Sequence, residues 1–320
     1  MTINKVAKVE LHCHVDGMLN PGILKGMLLK GLTSMKIEDL EGAYPVLCFD
    51  DFINWYNKTN PHFKNLPDYK PIVSHHMQNL GTQNVIYAEL MIPSGSLPID
   101  EEEMLDCVQE FREYTTAMEN GKVQIEYIVA FGRNKTPQQV EERADRILKL
   151  YDSHLICGVA VAGPEQGNPI KPFRKTFERF KEAGIGIEIH AGEWCGPESV
   201  SDALADGFPN RIGHGVSLFK NPDLIKIVQE RQIHIEMCPT SNLKTGSVDD
   251  IKNHPIKKAF DLGFNFSINT DDPGPFECTM ESEFRLLHDT FGFGEHEFEG
   301  IKGNSLKSRF QKQLKYSQSR

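Results

Sequence analysis

The hydrophobic positions of this chain fall into two alternating rhythms. Short apolar runs flanked by turn or polar residues recur at Lys8–Leu11, Val85–Met91, Gln124–Phe131, Gly158–Val161, Gly186–His190, Arg211–Gly213, His234–Met237 and Asn265–Ile268. Each has the length and composition of a buried strand. Between them lie stretches with apolar residues three and four positions apart, at Glu101–Glu119, Pro137–Tyr151, Pro172–Ala183, Glu198–Asp206, Pro222–Arg231 and His254–Leu262. That spacing puts the apolar residues on one helix face. Strands alternating with helices predict a parallel sheet. Eight such units in 320 residues predict an α/β fold, a (β/α)8 barrel forming a single domain over residues 1–320.

The alternation is interrupted once, between the first two strands, from Leu19 to Gln83. This interval holds helix-like Pro21–Lys30, an irregular Gly42–Leu47, the aromatic-rich Phe49-Asp50-Asp51-Phe52-Ile53-Asn54-Trp55-Tyr56 and a second helix-like stretch, Lys70–Leu80. An insertion after strand one lies over the barrel mouth, so Phe49–Tyr56 is a candidate lid, or else a helix face packed on the barrel. At the other end, the basic and polar Lys302–Arg320 reads as a terminal helix with a frayed end.

Composition narrows the chemistry. No apolar run is long enough to cross a bilayer, and Met1–Val6 leads almost directly into the first strand without a charged-then-apolar signal segment, so a soluble cytoplasmic protein without membrane contact is expected. Seven cysteines, an odd number without a Cys-x-x-Cys pair, suit reduced thiols rather than a disulfide framework or a thiolate zinc site. A net charge of -10 argues against nucleic-acid binding as the main activity, which needs a basic surface to displace counterions. The expected partner is a small molecule.

A barrel of this type places its chemistry at the C-terminal ends of its strands, and titratable residues collect there. The first strand runs through Lys8-Val9-Glu10-Leu11 into His12-Cys13-His14-Val15-Asp16-Gly17. Side chains alternate along a strand, so His12 and His14 face one side and Cys13 the other. The fifth strand ends in His190-Ala191-Gly192-Glu193, the sixth in His214-Gly215 and the eighth in Thr270-Asp271-Asp272-Pro273. Singly, each has a structural use. An aspartate before proline starts a helix, His214 between glycines suits a tight loop, His190 a buried strand end and Glu193 the surface. Together, imidazoles and carboxylates at one rim can give a divalent ion three nitrogens and one oxygen with room for a water, the make-up of a hydrolytic zinc site.

Five motifs, in order, resemble those of the adenosine deaminase family. They are Lys8-Val9-Glu10-Leu11-His12-Cys13-His14-Val15-Asp16-Gly17, His190-Ala191-Gly192-Glu193, Arg211-Ile212-Gly213-His214-Gly215, Cys238-Pro239-Thr240-Ser241-Asn242 and Asn269-Thr270-Asp271-Asp272-Pro273. The resemblance implies a (β/α)8 barrel with one zinc ion per chain and hydrolytic removal of ammonia from C6 of a 6-aminopurine, adenosine or 2′-deoxyadenosine first, as a step of purine metabolism. It casts His12, His14, His190 and Asp271 as zinc ligands. His214 would orient the water and take its proton, and Asp272 would hold the hydroxide and meet purine N7. Glu193 would deliver a proton to N1, which requires a raised pKa. Asp16 matches the position that meets a sugar 5′-hydroxyl, although a turn carboxylate ahead of Gly17 reads the same way. Gly163 matches the glycine whose N–H reaches purine N3, where a missing side chain permits close approach.

The chain departs from the family pattern near Gly163. Adenosine deaminases read Asp-Leu-Ala-Gly-Asp-Glu where this chain has Ala160-Val161-Ala162-Gly163-Pro164-Glu165, and Gly274 follows Asp272-Pro273 where a bulkier apolar residue is usual. Both changes fall at the substrate end, so adenine and modified or 5′-substituted adenosines stand as alternatives. Further off are another mononuclear hydrolase of the same barrel superfamily acting on an amide or a different aminated ring, although a plain amide hydrolase would have no ring nitrogens for Glu193 and Asp272 to serve, and an inactive binding barrel, which would be expected to have lost a ligand or the proton donor. His234-Ile235-Glu236 has the His-x-Glu of cytidine-type deaminases, but no Pro-Cys-x-x-Cys follows it.

Overall fold

A computed structural model describes residues 3–118 and 122–310. Eight parallel strands, β1 (Lys8–His14), β2 (Val85–Pro93), β3 (Gln124–Gly132), β4 (Gly158–Ala162), β5 (Gly186–Ala191), β6 (Arg211–His214), β7 (His234–Met237) and β8 (Phe266–Ile268), pair in chain order. The sheet curls round until β1 meets β8 through a parallel bridge between Cys13 and Asp271. There the His14 N–H donates to the Asp271 carbonyl at 2.9 Å and the Asp271 N–H to the His12 carbonyl at 3.0 Å. The backbone that closes the barrel therefore carries three of the candidate ligands.

Every expected strand is present, and several run further toward the rim, so that His14, Ala191 and His214 are the last strand residues. The outer helices follow the predicted spacing with local corrections set by proline. The expected helix at His254–Leu262 begins only at Ile256 and ends at Asp261, because the residue before a proline is pushed toward extended backbone and His254 has ψ 131°. Pro197 starts its helix one residue earlier than expected, filling the first-turn position that lacks an N–H partner in any case. Pro172 instead sits in a short 3-10 turn, Lys171–Phe173, ahead of the helix Arg174–Ala183. The helix Glu101–Met118 ends where described residues stop, and the expected Glu119 lies outside them.

The insertion after β1 forms helices Pro21–Leu29, Ile37–Glu41, Phe49–Thr59 and Lys70–Thr82. Phe49, Phe52 and Tyr56 line the cavity at the barrel mouth, whereas Trp55 points the other way and is fully buried in the core. Cys13 also points outward, as the alternation of β1 requires, with its Sγ 3.8 Å from His76 Nε2 on the last of these helices. The floor of the barrel is plugged by Phe310. Its ring lies where a Cβ on Gly158 or Gly186 would fall at 2.3 and 2.2 Å, so only glycine fits beneath it. The Arg211 guanidinium stacks on the same ring, 3.4 Å from its centroid. The terminal helix is Glu295–Lys307, and residues 311–320 of the predicted tail lie outside the described residues. All seven cysteines are free thiols, and among the described residues no helix is long and apolar enough to cross a membrane.

Candidate active site

The C-terminal ends of the strands open into a cavity of about 840 Å³ whose wall includes His14, Asp16, Gly163, Glu193, His214, Asp271 and Asp272. The residues predicted from separate motifs thus converge on one space. Asp271 is its centre of charge. Its Oδ1 lies 3.3 Å from His12 Nε2 and 3.4 Å from His14 Nε2, and its Oδ2 accepts the Ser241 hydroxyl at 2.7 Å and lies 4.0 Å from His214 Nε2. The Nε2 atoms of His14 and His190 are 3.2 Å apart. One ligand atom from each of His12, His190, His214 and Asp271 falls within 4.8 Å of the others, and His14 reaches two of those four.

This arrangement fits a cation. His12 Nε2 is buried without a hydrogen bond, which is costly unless something electropositive meets it. Carboxylates stand behind two of the rings. His12 Nδ1 pairs with Glu236 Oε2 at 3.0 Å, which turns its Nε2 toward Asp271, and Glu188 Oε1 lies 3.0 Å from His190 Nδ1 without a hydrogen bond, the placement of carboxylates behind metal-binding histidines. Burial alone would raise Glu236, but Arg211, with its Nε 2.8 Å away, holds it below the usual carboxylate range. Burial would likewise raise Asp271, yet the His12 ring 3.3 Å away and the neighbouring imidazoles of His214 and His14 hold it far down. Asp271 and His214 both have left-handed backbone, with φ 64° and φ 62°, a conformation side-chain-bearing residues adopt at a cost and mostly where function needs it.

Sequence reasoning missed Glu188 and Glu236. The signal was available, since Glu188 is two residues before His190 on the same strand and therefore on the same side. His234-Ile235-Glu236 proves to be barrel interior: Glu236 stands behind His12, and His234 bonds Ser267 and Asn265 at 2.9 Å each.

Glu193 is buried, and burial first, then the charges of Asp271 and Glu165, push its carboxyl well above the ordinary range. Its Oε2 lies 3.5 Å from His214 Nε2. Glu165, the acid retained after the altered Pro164, sets its position by accepting the backbone N–H groups of Gly192, Glu193 and Trp194 at 2.7, 2.8 and 2.9 Å. Glu165→Gln turns an amide donor toward one of those N–H groups. It is expected to lower kcat by about 10²-fold through misplacement of Glu193 with metal content unchanged, as steady-state kinetics and elemental analysis would show.

The remaining predicted residues are also placed. A Cβ on Gly17 would fall 1.8 Å from Asp272 Oδ1, so this glycine gives Asp272 its room. Gly163 has φ 88° at the end of β4, which alone favours glycine there. Asp16 accepts the Tyr56 hydroxyl at 3.3 Å. Ala160, where the family pattern has an acid, is fully buried beside Met91, Ile128 and Cys157.

Residues 7–317 match the family model described as adenosine deaminase. The chain belongs to the adenosine deaminase family. It is a hydrolytic enzyme, and the buried His and Asp cluster suits the metal dependence of that family. A curated relative from Agrobacterium fabrum, named adenine deaminase, is 32% identical over 308 residues, 95% of this chain and 93% of its own. The crystal structure of an adenine deaminase from Arthrobacter aurescens superposes with a TM-score of 0.82 at 24% identity, covering 95% of this chain and 94% of that one. An amidohydrolase from Burkholderia ambifaria with bound zinc superposes at 0.81 and 21% identity, covering 97% and 87%. These two solved structures share the barrel fold described above.

Proposed function

We propose that this aminopurine deaminase acts on adenine itself, releasing ammonia and leaving the 6-oxo base. Adenosine, the first expectation from the motifs, gives way to its alternative. The observation that carries the shift is at Asp16, the carboxylate matched to a ribose hydroxyl, which is engaged by Tyr56 from the helix over the mouth. On the same helix Phe49 packs on Trp194 with ring centroids 4.4 Å apart, narrowing the space where a sugar would lie. The name adenine deaminase carried by relatives that match nearly the whole chain supports the same reading.

His12, His14, His190 and Asp271 would hold one zinc ion, which when bound lowers the pKa of a water toward about 7. The chain's own residues do the rest. Glu193, protonated, gives its proton to N1 and makes C6 electrophilic. His214 and Asp272 flank the attacking oxygen, one holding it and the other taking its proton. Gly163 offers its N–H to N3, and Asp272 meets N7. A plain amide hydrolase has no use for Glu193 and Asp272 on two edges of a ring, and an inactive barrel has no use for a raised carboxyl beside the cluster.

A second reading is a 5′-substituted adenosine carrying an anionic group, favoured by Lys64, Lys135 and Arg143 along the outer wall of the same cavity. An ultraviolet assay of the zinc-loaded protein on adenine, adenosine, 2′-deoxyadenosine and adenosine 5′-monophosphate separates the two. Adenine is expected to lead in kcat/KM by on the order of 10²-fold or more. A lead for any nucleoside or nucleotide would overturn adenine as the substrate.

A further inference from the structure

His214 stands at the inner end of a chain of buried hydrogen bonds. Its Nδ1 is 3.1 Å from the side-chain nitrogen of Asn242, whose side-chain oxygen is 3.1 Å from His254 Nε2. His254 Nδ1 in turn accepts the backbone N–H of Ile256 at 3.1 Å. All three side chains are buried. An imidazole–amide–imidazole chain can in principle run in either direction, because an amide can turn over and a neutral imidazole has two tautomers. The Ile256 end removes that freedom. A backbone N–H is always a donor, so His254 Nδ1 is an acceptor and the neutral ring carries its proton on Nε2. Asn242 must then present its oxygen to His254 and its NH2 to His214. The opposite order would set two N–H groups against each other at His254 and Ile256. Burial lowers His254 to about 3, which keeps it neutral.

We propose that His254 and Asn242 are positioning residues that fix His214 in its Nε2–H tautomer, so that His214 meets the attacking oxygen as a hydrogen-bond donor. Two consequences follow, both resting on the deaminase reading. An Nε2 that carries a proton has no lone pair for a metal, which removes His214 from the cluster of possible ligands and leaves the third nitrogen to His14. A donor cannot take the water's proton either. That proton passes to the Asp272 carboxylate, which meets N7 as a donor once it holds it, as the oxygen bonds C6 and Glu193 protonates N1. Asp272 then gives it to the leaving amino group, the C6–N bond breaks, and the new hydroxyl returns its proton to Glu193 as ammonia departs.

The test is the nitrogen-15 spectrum of the zinc-loaded full chain grown on ring-labelled histidine, with the His214 signals identified by their absence from His214→Gln. His214 is expected to carry its proton on Nε2, with Nδ1 unprotonated. Asn242→Asp can only accept, so it should move that proton to Nδ1. It should also lower kcat by on the order of 10²–10⁴-fold, the scale seen when a catalytic histidine is held in the wrong tautomer, with KM little changed. His254→Gln, which can accept from Ile256 and donate to Asn242, should keep the native tautomer and most of kcat. A wild-type spectrum with the His214 proton on Nδ1 overturns the proposal whether or not the variants fold. So does an Asn242→Asp protein with an inverted tautomer and full kcat. The stated tautomer in a protein that deaminates no aminopurine would leave the relay standing and sink the function.

Discussion

Glu193→Gln is expected to retain one metal ion per chain and to lose on the order of 10²–10⁴-fold in kcat, the usual worth of a positioned general acid. The amide matches the carboxyl in shape, so Glu165 can still hold the backbone of Gly192, Glu193 and Trp194, and no candidate metal-ligand atom is altered. What is lost is the transferable proton. Glu193 can protonate N1 only as the neutral acid, and burial together with Asp271 raises its pKa. The sign follows directly. The acid form persists above the ordinary carboxylate range, so wild-type kcat/KM should fall as pH rises through the raised pKa, and that alkaline limb should vanish in Glu193→Gln. Retained full turnover in the variant would show that N1 receives its proton from elsewhere.

The difference between Glu193 and the residues behind it marks how far the sequence alone reaches. Strand ends were legible because short apolar runs meet titratable residues at His12, His190, His214 and Asp271, and a parallel barrel brings all such ends to one rim. Glu188 was legible as the same-side neighbour of His190 two residues along one strand, yet nothing local says that Glu236 backs His12, since that depends on how separate strands are brought together. The relay from Ile256 through His254 and Asn242 was less legible still, because it joins the segment after β7 to the end of β6. Glu165 was visible only as the acid that survived a motif change, and its three backbone partners lie in a different loop. Phe49, Phe52 and Tyr56 could be placed over the mouth by chain order. That Trp55 turns away into the core required the packing itself.

Asp271→Ala is expected to abolish metal binding and activity together, with residual kcat reduced by more than about 10³-fold, because a bound ion would supply the activated water and the remaining candidate ligands are three imidazoles without a carboxylate. Asp271 does three things at once. Its carboxylate lies 3.3 and 3.4 Å from the inward nitrogens of His12 and His14 and takes the Ser241 hydroxyl, and its main chain closes β8 on β1. At φ 64° the alanine also carries a backbone cost of order 1 kcal/mol that aspartate and asparagine bear more easily, so lower stability alone could mimic the effect. Asp271→Asn separates the two. It keeps the left-handed tolerance and a hydrogen-bonding oxygen while removing the charge, and is expected to fold like the wild type by thermal denaturation, yet still to contain little metal by elemental analysis. A folded Asp271→Asn protein with a full complement of zinc would move the oxygen ligand elsewhere, with Glu188 and Glu236 beside His12 as the carboxylates to test next.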